Sequence, residues 1–351
     1  MSDLYHDLSP AAQAAYAELF DVVRAHDLHR SVSDLNGSFA SKAVKGRKYW
    51  YFQFRDIDGG VRQIYAGPDS EGLQALIAEA GKQPVRGVVP LAKSAVALGC
   101  ARVIPAHFRI IRRLAEYGFF SAGGVLVGTH AFLAMGNMLG VSWSDSTGTQ
   151  DVDFAHPGRN ISIALPSTVK IDVHAAIESL SMGLLPITSF GGNAGATYIN
   201  PSRPDFRVDF LTMLHRGGNK PVVIPNLNIA LQPLKFMEFS MEHPVQTVVF
   251  CDEGAVTVNA PIPARYAVHK LIVQGEREKS FRTKSSKDLR QAAALISYFA
   301  RHQPEELVQA WLDMVARGKG WEKRARSGLK ALVRAYPDKP EFASLEVESS
   351  N

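Results

Sequence analysis

Between residues 118 and 144 the chain carries no Asp, Glu, Lys or Arg. A stretch of that length can cross a bilayer. Its composition argues otherwise. Gly123-Gly124, Gly128-Thr129-His130, Gly136-Asn137 and Gly140 interrupt it, and polar side chains such as His130 and Asn137 are costly in hydrocarbon. The stretch therefore predicts a buried strand, a tight turn and a buried helix.

The surrounding pattern supports a packed protein. Of 351 residues, 46% are hydrophobic and 21% charged, which excludes disorder as the main state and suits two or three domains. Cys100 and Cys251 cannot build a disulfide scaffold or a four-thiolate zinc site. They fit a reducing cytoplasm, and residues 1–10 lack the basic-then-apolar pattern of a secretory signal.

Ser9 before Pro10 marks the start of a helix over 9–28, with Ala15, Leu19, Val22 and Val23 at helical spacing. Aromatic residues 49–54 and apolar residues 61–65 flank Asp58-Gly59-Gly60, a hairpin pattern, with a third strand expected over 39–44. Residues 70–116 read as helical with breaks near Pro84 and Pro90, and a basic helix over 106–117 ends at Gly118. Strands and helices then alternate. Strands are expected over 119–127, 150–154, 196–199 and 206–213, and helices over 130–139 and 173–180. Short apolar runs fill 221–260, helices follow to 336, and the polar tail 337–351 is expected to fray.

The chemistry concentrates in Gln150-Asp151-Val152-Asp153-Phe154. On a strand, residues i and i+2 share a face, so Asp151 and Asp153 point one way and Val152 and Phe154 the other. Two neighbouring carboxylates repel unless a cation lies between them. Phe206-Arg207-Val208-Asp209-Phe210-Leu211 places another acid in an apolar strand, where aspartate is disfavoured. If the two strands are neighbours, Asp209 completes a three-carboxylate set able to hold two metals about 3.5–4 Å apart. Gly128-Thr129 ends one predicted strand and opens a helix. Backbone N–H groups and a hydroxyl there form an anion site.

An apolar strand ending in Gly128-Thr129, a helix, Asp151-Val152-Asp153-Phe154, and a later lone Asp209 resemble the nucleotidyltransferase fold of the DNA polymerase β superfamily. Ala267-Val268-His269-Lys270-Leu271 and Lys287-Asp288-Leu289 resemble the helical half of bacterial AbiEii-like nucleotidyltransferases and their relatives. The resemblance covers roughly 118–300. It implies an α/β (α+β) core with a mixed sheet and an enzyme that moves a nucleoside monophosphate from an NTP to a hydroxyl, releasing pyrophosphate. It makes Asp151, Asp153 and Asp209 the catalytic Mg²⁺ ligands of a two-metal site. Gly128, Thr129 and Lys270 become the nucleotide-binding residues. In toxin members of the group the acceptor is often tRNA, and an antitoxin is a partner. The spacing 130–150 between Thr129 and Asp151 is longer than usual, and a loop over 141–149 is expected to absorb the excess.

Other polar residues near these motifs read as structural. His130 and His156 are expected to be satisfied buried histidines, Asp205 a cap or turn residue, Asp145 a solvated one, and Asp288 an ion-pair partner of Lys287.

Three segments are strongly basic. Residues 36–66 hold six Lys/Arg against two Asp, net +4, with Lys42, Lys45, Arg47 and Lys48 beside Trp50. Residues 265–290 hold eight basic and three acidic residues, net +5. Residues 317–334 hold seven basic residues and one Glu, net +6, with Lys323 and Arg324 beside Trp321. Cations follow phosphates and aromatic faces stack on unpaired bases, so Lys42, Lys45, Arg47, Lys48, Trp50, Lys323 and Arg324 are nucleic-acid-binding candidates. A small sheet with one aromatic core face and one solvated basic face explains 36–66 at least as well, and a solvated face explains 317–334 equally well, while 265–290 is expected near the triphosphate in the proposed fold. The segments sum to +15 while the whole chain is +5, so the remainder is 5 − 15 = −10. That layout suits an acidic centre flanked by surfaces for a polyanion.

The expected organisation is an N-terminal α+β module over 1–100, the nucleotidyltransferase core over 101–262, helices over 263–336 and the tail 337–351. RNA is the first acceptor by this reading and a protein hydroxyl or small molecule the second, in the cytoplasm and away from membranes. Two alternatives stay open: a nucleic-acid-binding protein with an inactive core, and a metal-dependent nuclease using the same acids.

Overall fold

The structure is a computed structural model that describes residues 3–29, 37–44, 46–55, 61–74, 77, 87–144, 149–158, 171–188, 194–214, 218–276 and 282–348. Among these, no helix is long and apolar enough to cross a membrane.

Strand β1 (Tyr5–Asp7) precedes helix α1 (Pro10–His29). The Ser9 hydroxyl accepts the Ala12 N–H at 3.2 Å, capping the helix. The helix buries Leu19 and Val23 as expected together with Ala12 and Tyr16, and the other two expected positions, Ala15 and Val22, pack partly buried at the edge of the same stripe. Strands β2 (Gly37–Val44), β3 (Arg47–Arg55) and β4 (Val61–Pro68) form an antiparallel meander. The predicted turn Asp58-Gly59-Gly60, Lys45, Pro84 and Asp145 lie outside the described residues. Pro90 does not break a helix. It sits in the first turn of α2 (Val88–Ala97), where its missing N–H has no intrahelical partner to lose.

The basic helix α3 (Pro105–Glu116) buries Phe108, Ile110, Ile111 and Leu114. The strand expected over 119–127 is shorter. Residues 118–124 wind through turns closed by Ala122 N–H to Gly118 O at 3.0 Å and Gly124 N–H to Phe119 O at 2.9 Å. Winding turns both Phe119 and Phe120 inward, which an alternating strand could not do. Only β5 (Val125–Val127) is extended, and α4 (Gly128–Leu139) follows at once. The expected loop over 141–149 begins as a strand, β6 (Val141–Trp143), because it pairs antiparallel with β1.

Strands β7 (Asp151–Ala155), β8 (Leu185–Thr188), β9 (Ala194–Asn200), β10 (Arg203–Met213), β11 (Val222–Ile224) and β12 (Ile229–Leu234) join β5 in a mixed sheet. The helix α5 (Val173–Glu178) crosses between β7 and β8. The sheet runs β11-β12-β10-β7-β5, with β9 also on β10 and β8 outside it. Strand β10 is parallel to β7 and β12 and antiparallel to β9. Asp205 lies inside β10 as an exposed strand residue, not in a turn. One face of the sheet buries Val152, Phe154, Val208 and Phe210, with Phe154 stacked on Phe210 at 5.4 Å.

Helix α6 (Met237–Met241) and the hairpin β13 (Val245–Cys251) and β14 (Gly254–Ala260) complete this part. The hairpin's Val248 and Phe250 pack with the buried side chains of α1 and α2. The remaining helices are α7 (Pro263–Glu276), α8 (Arg282–His302), α9 (Pro304–Ala316), α10 (Lys319–Ala335) and α11 (Glu341–Glu348). Helices α7 and α10 cross backbone to backbone. A Cβ at Gly328 would stand 2.0 Å from the Leu271 carbonyl oxygen, and one at Gly275 2.0 Å from that of Arg324.

The polar tail does not fray at once after 336. Phe342 and Leu345 of α11 are buried, and Glu341 accepts the Ser297 hydroxyl at 3.0 Å. Two apolar side chains in a polar sequence suffice to dock a short helix.

Candidate active site

The site is built on strand register. Asp153 stands opposite Val127 on one side and Asp209 on the other. Asp209 in turn faces Thr197, whose hydroxyl donates to Asp209 Oδ1 at 2.5 Å. The next row holds Asp151 opposite Arg207, with Arg207 Nε 3.1 Å from Asp151 Oδ1. Because residues i and i+2 share a face, Asp151, Asp153, Arg207 and Asp209 share one side of the sheet. Farther along that side, Val125, Val127, Ala155, Met237 and Met241 form a small apolar cluster. The acids thus occupy one end of a face whose other end is sealed.

Gly128 closes the row. Its φ of +67 is the left-handed conformation that glycine tolerates. A Cβ there would lie 2.1 Å from Asp153 Oδ2, so the carboxylate packs against bare backbone. Thr129 is buried in the first turn of α4.

Helices α7 and α8 bring cations to the acids. The Tyr266 hydroxyl lies 2.8 Å from the Gly128 carbonyl oxygen and 3.1 Å from Gln291 Oε1. Burial pushes its pKa up to about 12. Lys270 Nζ sits 4.9 Å from the Tyr266 ring centroid and donates to Asp288 Oδ1 at 2.8 Å. Burial opposes its charge, but Asp288 and Tyr266 outweigh that and hold the ammonium on. Asp288 therefore pairs with Lys270, and its charge also acts on its neighbour Lys287. The Lys287 pKa is lowered by burial and by Lys270, while Asp153 and Asp151 pull it back up. Asp153 carries the mark of crowding: burial, then Asp209 and Asp151, push its pKa up to about 7.

His130 follows the glycine turn and is a buried partner of His107, with His107 Nδ1 2.9 Å from His130 Nε2. Both are held neutral, chiefly by burial. His156 accepts the Gly158 N–H at Nδ1 at 3.0 Å, so its Nε2 donates to Ala122 O at 2.9 Å. That pattern is structural.

Among the described residues, no group of three or more His, Cys, Asp or Glu is gathered so that it could hold a metal ion by itself, the expected set Asp151, Asp153 and Asp209 included. The three acids are neighbours in register, but Asp151 leans to Arg207 and Asp209 to Thr197.

A family model described as Nucleotidyltransferase matches residues 106–316, more than half of the chain. The chain belongs to that nucleotidyltransferase family. The match takes in Gly128, Asp151, Asp153, Asp209, Lys270 and Asp288. No curated protein matches this nucleotidyltransferase. Among solved structures, it is similar to an antigenic nucleotidyltransferase-like protein from Paracoccidioides brasiliensis, at 14% identity over 65% of this chain and 95% of that one. The TM-score is 0.31, too low to bear on the fold.

The other basic candidates separate. Lys323 is exposed, but Arg324 pairs with Glu276 and donates to Gly320 O at 2.8 Å. Trp321 is half-buried, edge-on to Phe236 at 4.6 Å and 6.0 Å from the Phe239 ring of α6, so part of its surface is spent on packing. Trp50 donates to Asp69 Oδ1 at 2.6 Å with Lys48 4.6 Å over its ring, and Arg47 and Lys48 are exposed.

Arg207, Thr197 and Tyr266 belong to the site without having been singled out. Arg207 had a signal: it is two residues before Asp209 and so shares its face. Thr197 and Tyr266 had none, because their places depend on which strands and helices become neighbours.

Proposed function

We propose that this nucleotidyltransferase transfers a nucleoside monophosphate from an NTP to a hydroxyl acceptor and releases pyrophosphate. The observation that carries the reading is the in-register pair Asp153 and Asp209, flanked by Asp151 and placed against the Gly128 turn.

The donor set suits Mg²⁺. It is oxygen-only, and Mg²⁺ takes one or two carboxylates, keeps waters and completes its shell with substrate phosphates. A closed protein cage is therefore not required. The crowding that raises the Asp153 pKa is what a divalent charge would relieve. Asp151, Asp153 and Asp209 would hold the metal, which supplies activation of the hydroxyl and neutralisation of the leaving phosphate.

The chain's own groups do the rest. Gly128 and Thr129 present N–H groups at the start of α4 to the triphosphate. Lys270, oriented by Asp288, meets its negative charge. Asp209, held by the Thr197 hydroxyl, orients the acceptor hydroxyl toward the α-phosphorus. The acceptor hydroxyl gives up its proton to solvent, its oxygen bonds to that phosphorus, the bond to the bridging oxygen breaks, and pyrophosphate leaves. RNA, tRNA included, is the first acceptor by the basic segments, and a protein hydroxyl the second.

Incubation with each α-labelled NTP, Mg²⁺ and total cellular RNA tests this. Label in a discrete RNA band, with pyrophosphate released, is expected. Label in protein instead moves the acceptor to a protein hydroxyl. Equal turnover by Asp151→Ala refutes the assignment of the acids, and RNA cleavage without NTP turnover supports a nuclease instead.

A further inference from the structure

The three-stranded meander carries chemistry that nucleotidyl transfer does not use. Pairing places Lys42 opposite Tyr49, Tyr51 opposite Tyr65, and Gln53 opposite Gln63. A register shift between Trp50 and Tyr51 leaves Tyr65 directly opposite Tyr51 and diagonal to Tyr49. Its ring lies 5.5 Å from Tyr51 and 6.2 Å from Tyr49. Tyr65 is 56% exposed. Lys42 Nζ stands 5.3 Å over the Tyr51 ring and donates to Gln63 Oε1 at 2.6 Å. That bond leaves the Gln63 amide N–H₂ turned away from the lysine, on the same face.

Alternation puts Trp50 on the opposite face, bonded to Asp69. The sequence grouped Trp50 with its neighbours, whereas the sheet sorts them. Among the described elements, β2, β3 and β4 pack substantially only on one another. Among the described residues the tyrosine face is therefore a partly exposed row of rings, bordered by Lys42, by the Gln53 and Gln63 amides and, by the same alternation, by Arg47, in a segment of net charge +4.

We propose that this Lys42–Tyr49–Tyr51–Tyr65 face is a platform for single-stranded RNA. Rings accept any unpaired base, since every base has a π-face. The positive charge of the segment complements the phosphate backbone. The Gln53 and Gln63 amides offer both donors and acceptors, the set that matches a 2′-hydroxyl. A duplex, whose bases are stacked already, gains nothing from the rings. The platform uses none of the acids and does not depend on the nucleotidyl-transfer reading.

Fluorescence anisotropy with the full chain and a labelled mixed-sequence RNA of about 16 nucleotides tests it. Neither NTP nor metal is needed, so failure here is told apart from failure of transfer. Tyr51→Ala and Tyr65→Ala are each expected to weaken binding about 5- to 100-fold. Tyr51→Phe and Tyr65→Phe keep the rings and are expected to bind as the parent does. Lys42→Gln is expected to flatten the slope of log affinity against log salt by about 0.7. Equal binding by the Ala variants, equal loss in the Phe variants, or preference for the duplex overturns the platform. Equal affinity for single-stranded DNA overturns the choice of RNA. If an Ala variant does not fold, cross-linking of bromouridine-containing RNA to the parent decides. Adducts on Tyr49, Tyr51 or Tyr65 support the platform, and adducts only elsewhere overturn it.

Discussion

Gly128 and Asp153 are in contact so close that a β-carbon on the glycine would stand 2.1 Å from the aspartate Oδ2. The turn that is proposed to hold phosphate and the carboxylate that is proposed to hold metal therefore fix each other's position. Gly128→Ala must both displace the carboxylate and carry a side chain at φ +67. We expect it to cost about 2–4 kcal/mol of stability and about 100-fold in nucleotidyl transfer. Urea denaturation and labelled-NTP incorporation measure the two. An alanine variant with parental turnover would show that the contact is not needed.

Stability and activity are expected to diverge at the acids. Asp153 is half-buried beside Asp209 and Asp151, and like charges there oppose folding. Asp153→Asn should therefore raise the melting temperature in EDTA, by about 1–2 kcal/mol of stability. It should also lower transfer about 100- to 1,000-fold. Added Mg²⁺ should stabilise the parent more than the variant. A variant that melts lower than the parent in EDTA contradicts the repulsion.

Lys270 and Asp288 form a largely buried pair, with side chains 14% and 6% exposed. Asp288→Ala leaves the ammonium without that carboxylate and should cost about 3–5 kcal/mol. Replacing both, Lys270→Met with Asp288→Leu, should cost less than Asp288→Ala alone, because no charge is then stranded. Equilibrium unfolding of the single and double variants forms the cycle.

Acid should weaken the fold through three buried imidazoles, offset in part by Asp153, whose raised pKa of about 7 makes protonation of that one carboxylate favour the folded state over the same range. His107, His130 and His269 are buried and neutral. Burial lowers the His107 pKa to about 4 and the His269 pKa to about 3 from the ordinary 6.5. Their folded values lie below the unfolded ones, so the unfolded chain binds more protons at acid pH. Stability is full above pH 6.5 and falls as pH drops from 6.5 toward 3–4, by about 1.4 kcal/mol per pH unit for each such histidine. Denaturation midpoints at several pH values between neutral and mildly acid should show the slope. A flat profile would mean that these imidazoles protonate freely in the fold.

The tail should matter to stability. Phe342 is fully buried and lies 5.9 Å from the Tyr336 ring. Phe342→Ala should cost about 3–5 kcal/mol. Thermal melting of that variant checks it, and an unchanged melting temperature would return the tail to the frayed reading.

Local chemistry made much of this legible beforehand. The turn at Gly128-Thr129, the shared face of Asp151 and Asp153, and the strand around Asp209 follow from apolar spacing and residue type over a few positions. The Ser9 cap and the three-stranded meander follow in the same way. Where local pattern misled, a distant partner decided. Residues 141–143 extend because β1 is there to pair with, and residues 341–348 dock because apolar side chains of other helices await Phe342.

Short-range periodicity determines which residues are extended or helical and which face they show, because those depend on dihedrals and spacing within one segment. It does not determine neighbours. Only the folded sheet placed Asp209 opposite Asp153 rather than one residue away, set Thr197 beside Asp209, and delivered Tyr266 to the Gly128 carbonyl. Only the meander's pairing seated Tyr65 beside Tyr49 and Tyr51, while the separation of Trp50 from its neighbours follows from alternation alone. Register and helix docking are long-range choices, decided by how apolar area is buried across the whole molecule, and no local pattern encodes them.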